Sequence, residues 1–169
     1  MQLVIETLFP DVELPKYSNP GDVGLDVKFH NLKRVYRHIG GNSEQKIESD
    51  EALKKHLVNG ALDLQYLERA LIGVGFKATA GEGYEIQVRP RSGLALNNGL
   101  TILNTPGTID SGYRDEIGII LINLSRKVQT ISFGDRIAQL VVKPVTVCEV
   151  VPGKLDSVDR GGGFGSTGK

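Results

Sequence analysis

The run Ile117-Gly118-Ile119-Ile120-Leu121-Ile122-Asn123-Leu124 constrains the fold more than any other stretch of the chain. Its length suits a strand, and apolar residues occupy both of its faces, so neither face belongs in water. Such a strand must be covered by a second sheet or by another subunit. From Ala70 onward similar segments recur: Ala70 to Lys77, Tyr84 to Arg89, Leu100 to Leu103, Val128 to Ile131, and Arg136 to Val142 extending towards Val150. Gly, Pro and Asn turns separate them. Upstream, Gln2 to Leu8 and Val23 to Phe29 also read as strands, with Pro10, Pro15 and Pro20 breaking the chain between them. Short β-rich runs punctuated by turns predict an all-β sandwich or barrel.

Residues 31–60 break this pattern. Gly40-Gly41-Asn42-Ser43 is a flexible turn, and Ser49 to Gly60 reads as a short helix with Ser49 or Asp50 as its cap, acids in its first turn and Asn59-Gly60 as its stop. The expectation is a surface excursion that holds the helical part of the chain. His30, His38 and His56 all fall in it or at its edge, with no acid or thiol at ligand spacing, which argues against a zinc site. The rest of the chain is left without a histidine for general-base work.

At 169 residues the chain fits one domain. Lys+Arg and Asp+Glu number 20 each, so the whole-chain charge points to neither a nucleic-acid nor a membrane partner. One cysteine, Cys148, excludes an intramolecular disulfide framework and a thiolate metal cluster, and reads as a core or strand residue. The N-terminal stretch has no basic region followed by a long apolar run, and no segment approaches the ~18 apolar residues of a membrane span. A soluble, cytoplasmic protein is expected.

Five blocks carry residues suited to chemistry. Pro20-Gly21-Asp22-Val23-Gly24-Leu25-Asp26 sets two glycines beside two carboxylates, with Asp26 at the start of a strand, where it could equally be a turn acid. Arg89-Pro90-Arg91-Ser92-Gly93-Leu94-Ala95 places guanidinium forks, a hydroxyl and exposed N–H groups at a strand end leading into what could be a helical turn. That set suits phosphate oxygens, or simply forms a basic surface turn. Asn104-Thr105-Pro106-Gly107-Thr108-Ile109-Asp110-Ser111-Gly112-Tyr113 reads as a rigid loop offering an amide, approachable backbone, a carboxylate and an aromatic ring. A plain hairpin turn is its alternative. Phe133 to Leu140 is a tight turn entering a strand that carries Arg136 and Gln139. Arg160 to Gly168 is more than half glycine, and ordering glycine is entropically costly, so this arm makes sense if a ligand orders it.

In sequence and in order, these blocks resemble the five motifs of the homotrimeric deoxyuridine triphosphatase (dUTPase) family: Gly21 to Val27, Pro90 to Ala95, Asn104 to Gly118, Gly134 to Gln139, and Arg160 to Gly168. The resemblance implies a jelly-roll, β-barrel-like domain over residues 1–159, a C-terminal arm over 160–169, and three active sites at subunit interfaces of a homotrimer. It implies cleavage of dUTP to dUMP and pyrophosphate. By the same resemblance Asp110 activates the attacking water, and Gln139 binds the α-phosphate region. Asn104 and the backbone near Gly107 read uracil, and Tyr113 lies against the deoxyribose. Arg91, Ser92 and Gly93 hold phosphate oxygens, with Arg136 in support. Phe164 stacks on the base while Arg160, Ser166 and Thr167 close over the γ-phosphate. Mg2+ is held by the phosphates and water, with Asp26 reaching it through water and no direct protein ligand.

The sequence departs from the family in two places. The arm is one residue short between Arg160 and Phe164, and the 31–60 excursion makes the link between the first two motifs roughly 25 residues longer than usual, which a surface loop tolerates. Two alternatives remain open: a dCTP deaminase of the same fold, and a nucleotide-responsive regulator that engages a protein partner through residues 31–60.

Overall fold

The structure, a computed structural model, describes residues 2–39 and 43–155. Its elements in chain order are β1 (Val4–Thr7), β2 (Leu25–Lys28), β3 (Asn31–His38), β4 (Glu44–Ile47), α1 (Asp50–Lys55), β5 (Leu57–Val58), β6 (Ala61–Leu64) and β7 (Arg69–Gly73). They continue as β8 (Phe76–Thr79), β9 (Tyr84–Arg89), α2 (Ser92–Asn98), β10 (Leu100–Ile102), β11 (Gly107–Ile109), β12 (Gly118–Asn123), β13 (Gln129–Ser132) and β14 (Arg136–Pro144). The fold is all-β. Every strand pair is antiparallel, and the strands fall into four sheets ordered β1-β8, β10-β12-β7-β3-β4, β11-β9-β14-β2 and β13-β6-β5.

β12 lies between β10 and β7, and its Ile119 and Leu121 are fully buried with Val35, Ile72, Ile86 and Leu140 in one core. Ile122, on its other face, is nearly buried as well, whereas Ile120 is covered only in part. Asn123 closes the strand with its side chain wholly buried and fully satisfied. Its Nδ2 donates to the carbonyls of Leu64 and Lys127, both at 2.8 Å, and its Oδ1 accepts from the N–H and Oγ of Ser125, also at 2.8 Å. A buried amide without these partners would destabilise the fold by roughly 1–3 kcal/mol.

Unlike the surface excursion expected from sequence, the described part of residues 31–60 contributes strands to the five-stranded sheet. β3 is an internal strand, bonded to β7 on one side and β4 on the other, and its Val35 is buried. Glu68, also buried, fixes the far end of β3 by accepting from the Arg37 guanidinium, from His38 N–H at 3.3 Å and from Gln65 N–H at 2.9 Å. The sequence misled because β3, Asn31-Leu32-Lys33-Arg34-Val35-Tyr36-Arg37-His38, holds four basic side chains and looks wet; Lys33, Arg34 and Arg37 are partly covered and pair their charged ends with Glu116, Glu48 and Glu68.

Ser49 does cap α1, accepting from Ala52 N–H at 3.4 Å, and Leu53 is buried beneath the helix. The helix stops at Lys55, however, short of Asn59-Gly60. Those two residues have positive φ, 52° and 76°, and turn the β5–β6 hairpin, because a two-residue turn matched to strand twist needs left-handed backbone at both positions. Helix is not confined to this segment either, since α2 begins within the second motif. The apolar run Ala70 to Lys77 is split into β7 and β8 at Gly75, whose φ of +83° no strand accommodates. β14 ends at Pro144, and Cys148 lies beyond it, exposed rather than in a core or strand.

Candidate active site

Two stretches far apart in sequence, 90–91 and 136–139, meet Asp26. β14 places Gln139 opposite Asp26 of β2 on one side and Arg89 of β9 on the other. The chain leaving β9 therefore passes directly over the β2–β14 pair. Arg91 Nε donates to Asp26 Oδ1 at 3.0 Å, and Arg136 Nη1 donates to Asp26 Oδ2 at 3.0 Å, so one carboxylate is shared by two guanidiniums. Arg91 Nη1 also donates to the Arg136 carbonyl at 3.0 Å, and Gln139 Nε2 to the Pro90 carbonyl at 2.9 Å. All four side chains are held, and each guanidinium keeps N–H groups beyond those used on Asp26.

Gly24 is what lets Gln139 lie there. A Cβ at position 24 would stand 2.0 Å from Gln139 Oε1, so any side chain would push the amide aside. Arg91 is the N-cap residue of α2 and makes no side-chain cap bond, which leaves its guanidinium for Asp26, while Ser92 and Gly93 stand exposed in the first helical turn. Arg91 and Arg136 also line a cavity of about 340 Å³ together with Leu94, Asn98, Thr130 and Asp135.

The central loop forms a second cluster. Gly107 is buried against Val88, and a Cβ there would lie 3.2 Å from both Val88 and the Asn104 amide, so a side chain would press on both where the loop approaches β9. β11 ends at Ile109. Asp110 follows it, exposed, with its carbonyl accepting Tyr113 N–H at 3.1 Å across the Ser111-Gly112 turn. Thr79 Oγ1 and Arg114 Nη1 both donate to the Ser111 carbonyl, at 2.9 and 2.8 Å. Tyr113 OH donates to the Glu116 carbonyl at 3.0 Å. Asp110 is thus mounted on a turn braced from both sides.

Among the described residues of one chain the two clusters stand apart. β9 and β14 stand between β11 and β2, three interstrand steps or about 14 Å. Asp110 also follows Ile109, which pairs Ile86, whereas Asp26 and Gln139 lie at the Arg89 end of the sheet.

No group of three or more metal-ligating side chains occurs among the described residues. Asp26, the carboxylate nearest the guanidiniums, already has both oxygens engaged by arginine. The donor set therefore fits a divalent cation only if most of its ligands come from a bound polyphosphate and water, with Asp26 in the outer sphere. Arg160, Phe164, Ser166 and Thr167 lie outside the described residues.

The dUTPase family model matches residues 60–168, well over half of the chain. The chain belongs to the dUTPase family. A deoxyuridine 5'-triphosphate nucleotidohydrolase of Wolinella succinogenes is 54% identical over 171 residues, covering 100% of this dUTPase-family chain and 95% of its own. One from Fusobacterium nucleatum is 43% identical over 160 residues, covering 94% and 91%. The first alignment spans residues 31–60, so that segment has a counterpart in a bacterial relative. Among solved structures, a mutant dUTPase of Staphylococcus bacteriophage 80alpha bound to dUpNHpp superposes with a TM-score of 0.70 at 21% identity, covering 99% of this chain and 98% of its own. A phage phi11 dUTPase mutant, in which coordination of a structural Mg(II) ion is described, gives 0.66 at 19% identity, covering 94% and 100%. At these identities the structural likeness establishes the dUTPase fold.

Proposed function

We propose that this chain is a dUTP diphosphatase that cleaves dUTP to dUMP and pyrophosphate in sites formed between the subunits of a homotrimer. The observation that carries this reading is the meeting of Arg91 and Arg136 on Asp26, with Gln139 paired opposite it and bonded to the Pro90 carbonyl, in a chain of the dUTPase family whose Asp110 is mounted on a separate braced turn. A second subunit supplies what one chain keeps apart: the central loop of one protomer faces the guanidinium cluster of the next.

In that arrangement Arg91, with Ser92 and Gly93, holds phosphate oxygens by charge-assisted bonds, and Arg136 keeps Asp26 and Arg91 in register. Gln139 contacts the α-phosphate region. Asn104 and the Gly107 backbone pair with the uracil edge; cytosine presents the opposite donor and acceptor at position 4, and unpaired buried polar groups reject it. Tyr113 packs on the deoxyribose where a 2′-hydroxyl would stand. Asp110 takes a proton from water as its oxygen attacks the α-phosphorus in line, and the bond to the bridging oxygen of pyrophosphate breaks. Asp26 would reach a magnesium ion through water when the ion is bound with the triphosphate, and the ion would supply charge neutralisation there. The arm, residues 160–169, brings Phe164 over the base and Arg160, Ser166 and Thr167 over the γ-phosphate, excluding bulk water. Such an activity in the cytoplasm limits uracil incorporation into DNA and supplies dUMP for dTMP synthesis.

Pyrophosphate release across a panel of deoxynucleoside triphosphates tests the reading. Release from dUTP alone is expected; ammonia release from dCTP without pyrophosphate would instead make the chain a deaminase of the same fold.

A further inference from the structure

Glu116 takes no part in the chemistry above, yet it holds four bonds around the ring assigned to the sugar. Its backbone carbonyl accepts the Tyr113 hydroxyl at 3.0 Å. Its side chain is only 9% exposed: Oε1 accepts Gly75 N–H at 2.7 Å and Asn31 Nδ2 at 2.9 Å, and Oε2 meets Lys33 Nζ at 2.7 Å. Gly75 sits in the turn between β7 and β8, and Asn31 and Lys33 open β3, so one residue ties the central loop to β3 and to the β7–β8 turn. The site is shaped for this carboxylate. A Cβ at position 73 would lie 2.3 Å from Glu116 Oε1 and 2.4 Å from Asn31 Oδ1, so glycine there leaves the space that this pair of side chains occupies. Burial raises the Glu116 carboxyl pKa, but the bonds from Lys33, Gly75 N–H and Asn31 outweigh it and hold the group below its ordinary value.

We infer that Glu116 is a positioning residue for sugar discrimination: anchored by Lys33, Asn31 and Gly75, it fixes the Tyr113 ring at the height that leaves no room for a 2′-hydroxyl. The inference rests on the proposed role of Tyr113. The ring's hydroxyl cannot follow the ring away from its place without losing its acceptor, and the acceptor cannot move while its side chain is bonded to β3 and to the β7–β8 turn. Residues 31–33 thereby act on substrate choice from outside the five motifs.

The test is the ratio of kcat/KM for dUTP to kcat/KM for UTP. Glu116→Gln sets an amide N–H against the Lys33 ammonium, Lys33→Met removes that partner, and Tyr113→Phe keeps the ring and cuts its tie. Each is expected to lower the ratio about fivefold or more, the scale of one lost oriented bond, chiefly through a relative gain for UTP. A lower melting temperature with the ratio unchanged in Lys33→Met and Tyr113→Phe would make Glu116 structural only and overturn the inference. Tyr113→Ala separates the two levels. If it leaves the ratio unchanged, the ring does not read the sugar and the underlying reading fails; if it collapses the ratio while the other three preserve it, only the positioning role of Glu116 fails.

Discussion

Asp26 had two readings in the sequence, an acid at a strand end or an outer-sphere ligand to magnesium, and neither named its partners. The structure gives it two guanidiniums from positions 91 and 136, brought within 3.0 Å by strand pairing that no local pattern announces. Glu116 was not singled out by sequence at all. Its one available signal was an acid at the threshold of an otherwise apolar strand, where a lone carboxylate needs buried partners. At this scale two outcomes are expected. Asp110→Asn keeps nucleotide binding but lowers turnover by about 10²-fold or more, the usual worth of a positioned general base; single-turnover pyrophosphate release and titration with a non-hydrolysable analogue check it. Gly24→Ala forces the Gln139 amide off the Pro90 carbonyl, because the added methyl would stand 2.0 Å from Oε1. Turnover should fall about tenfold with little change in melting temperature, since a flexible amide yields at small cost in stability but loses its aim at the phosphate.

β3 shows why an element can be misread. Hydrophobic pattern alone marks it as wet, yet it is bonded on both edges within the five-stranded sheet, and the pairing partners that make it internal, β7 and β4, are set by the whole topology. Deleting residues 34–58 is therefore expected to abolish folding, seen as loss of a cooperative thermal transition; a folded, active deletion variant would return the segment to the status of an appendage. Leu53→Ala should destabilise by about 2–4 kcal/mol in denaturant titration, the range for a buried leucine under a short helix. The junction of β3 with β7 and β8 also predicts a pH effect. Because the Glu116 pKa is lower in the fold than its ordinary value of 4.5, it adds stability that is present above that value and lost as pH falls through the depressed one. In Glu116→Gln the melting temperature should be lower near neutrality, and the gap to the unsubstituted protein should close on acidification. The helix α1 and the hairpin turn at Asn59-Gly60 were legible in part, as cap and turn chemistry is local. What escaped was that Asn59-Gly60 turns a hairpin rather than stopping the helix.

For the whole molecule, what matters is that the described residues of one chain keep the Asp26–arginine cluster and the Asp110 turn apart, at opposite edges of one four-stranded sheet. Truncation after Asp159 is expected to lower turnover sharply while sedimentation still shows a trimer; monomers in that measurement would contradict sites shared between subunits. The fold class was legible because strand-length apolar runs and turn residues are local properties, and the family was legible because its five blocks keep their order along the chain. The candidate residues 26, 91, 104, 110 and 139 could also be picked out from sequence, since chemistry-bearing side chains among glycines announce themselves. Sequence by itself thus determined the strands, the family and the inventory of reactive groups. Only the tertiary structure decided that Asp26 gathers two arginines, that Glu116 braces Tyr113 and that Asn31–His38 and Glu44–Ile47 are strands of the five-stranded sheet. Those relations depend on which distant strands hydrogen-bond side by side, and that choice is made by burying the common core, a property of the folded chain and of no single segment.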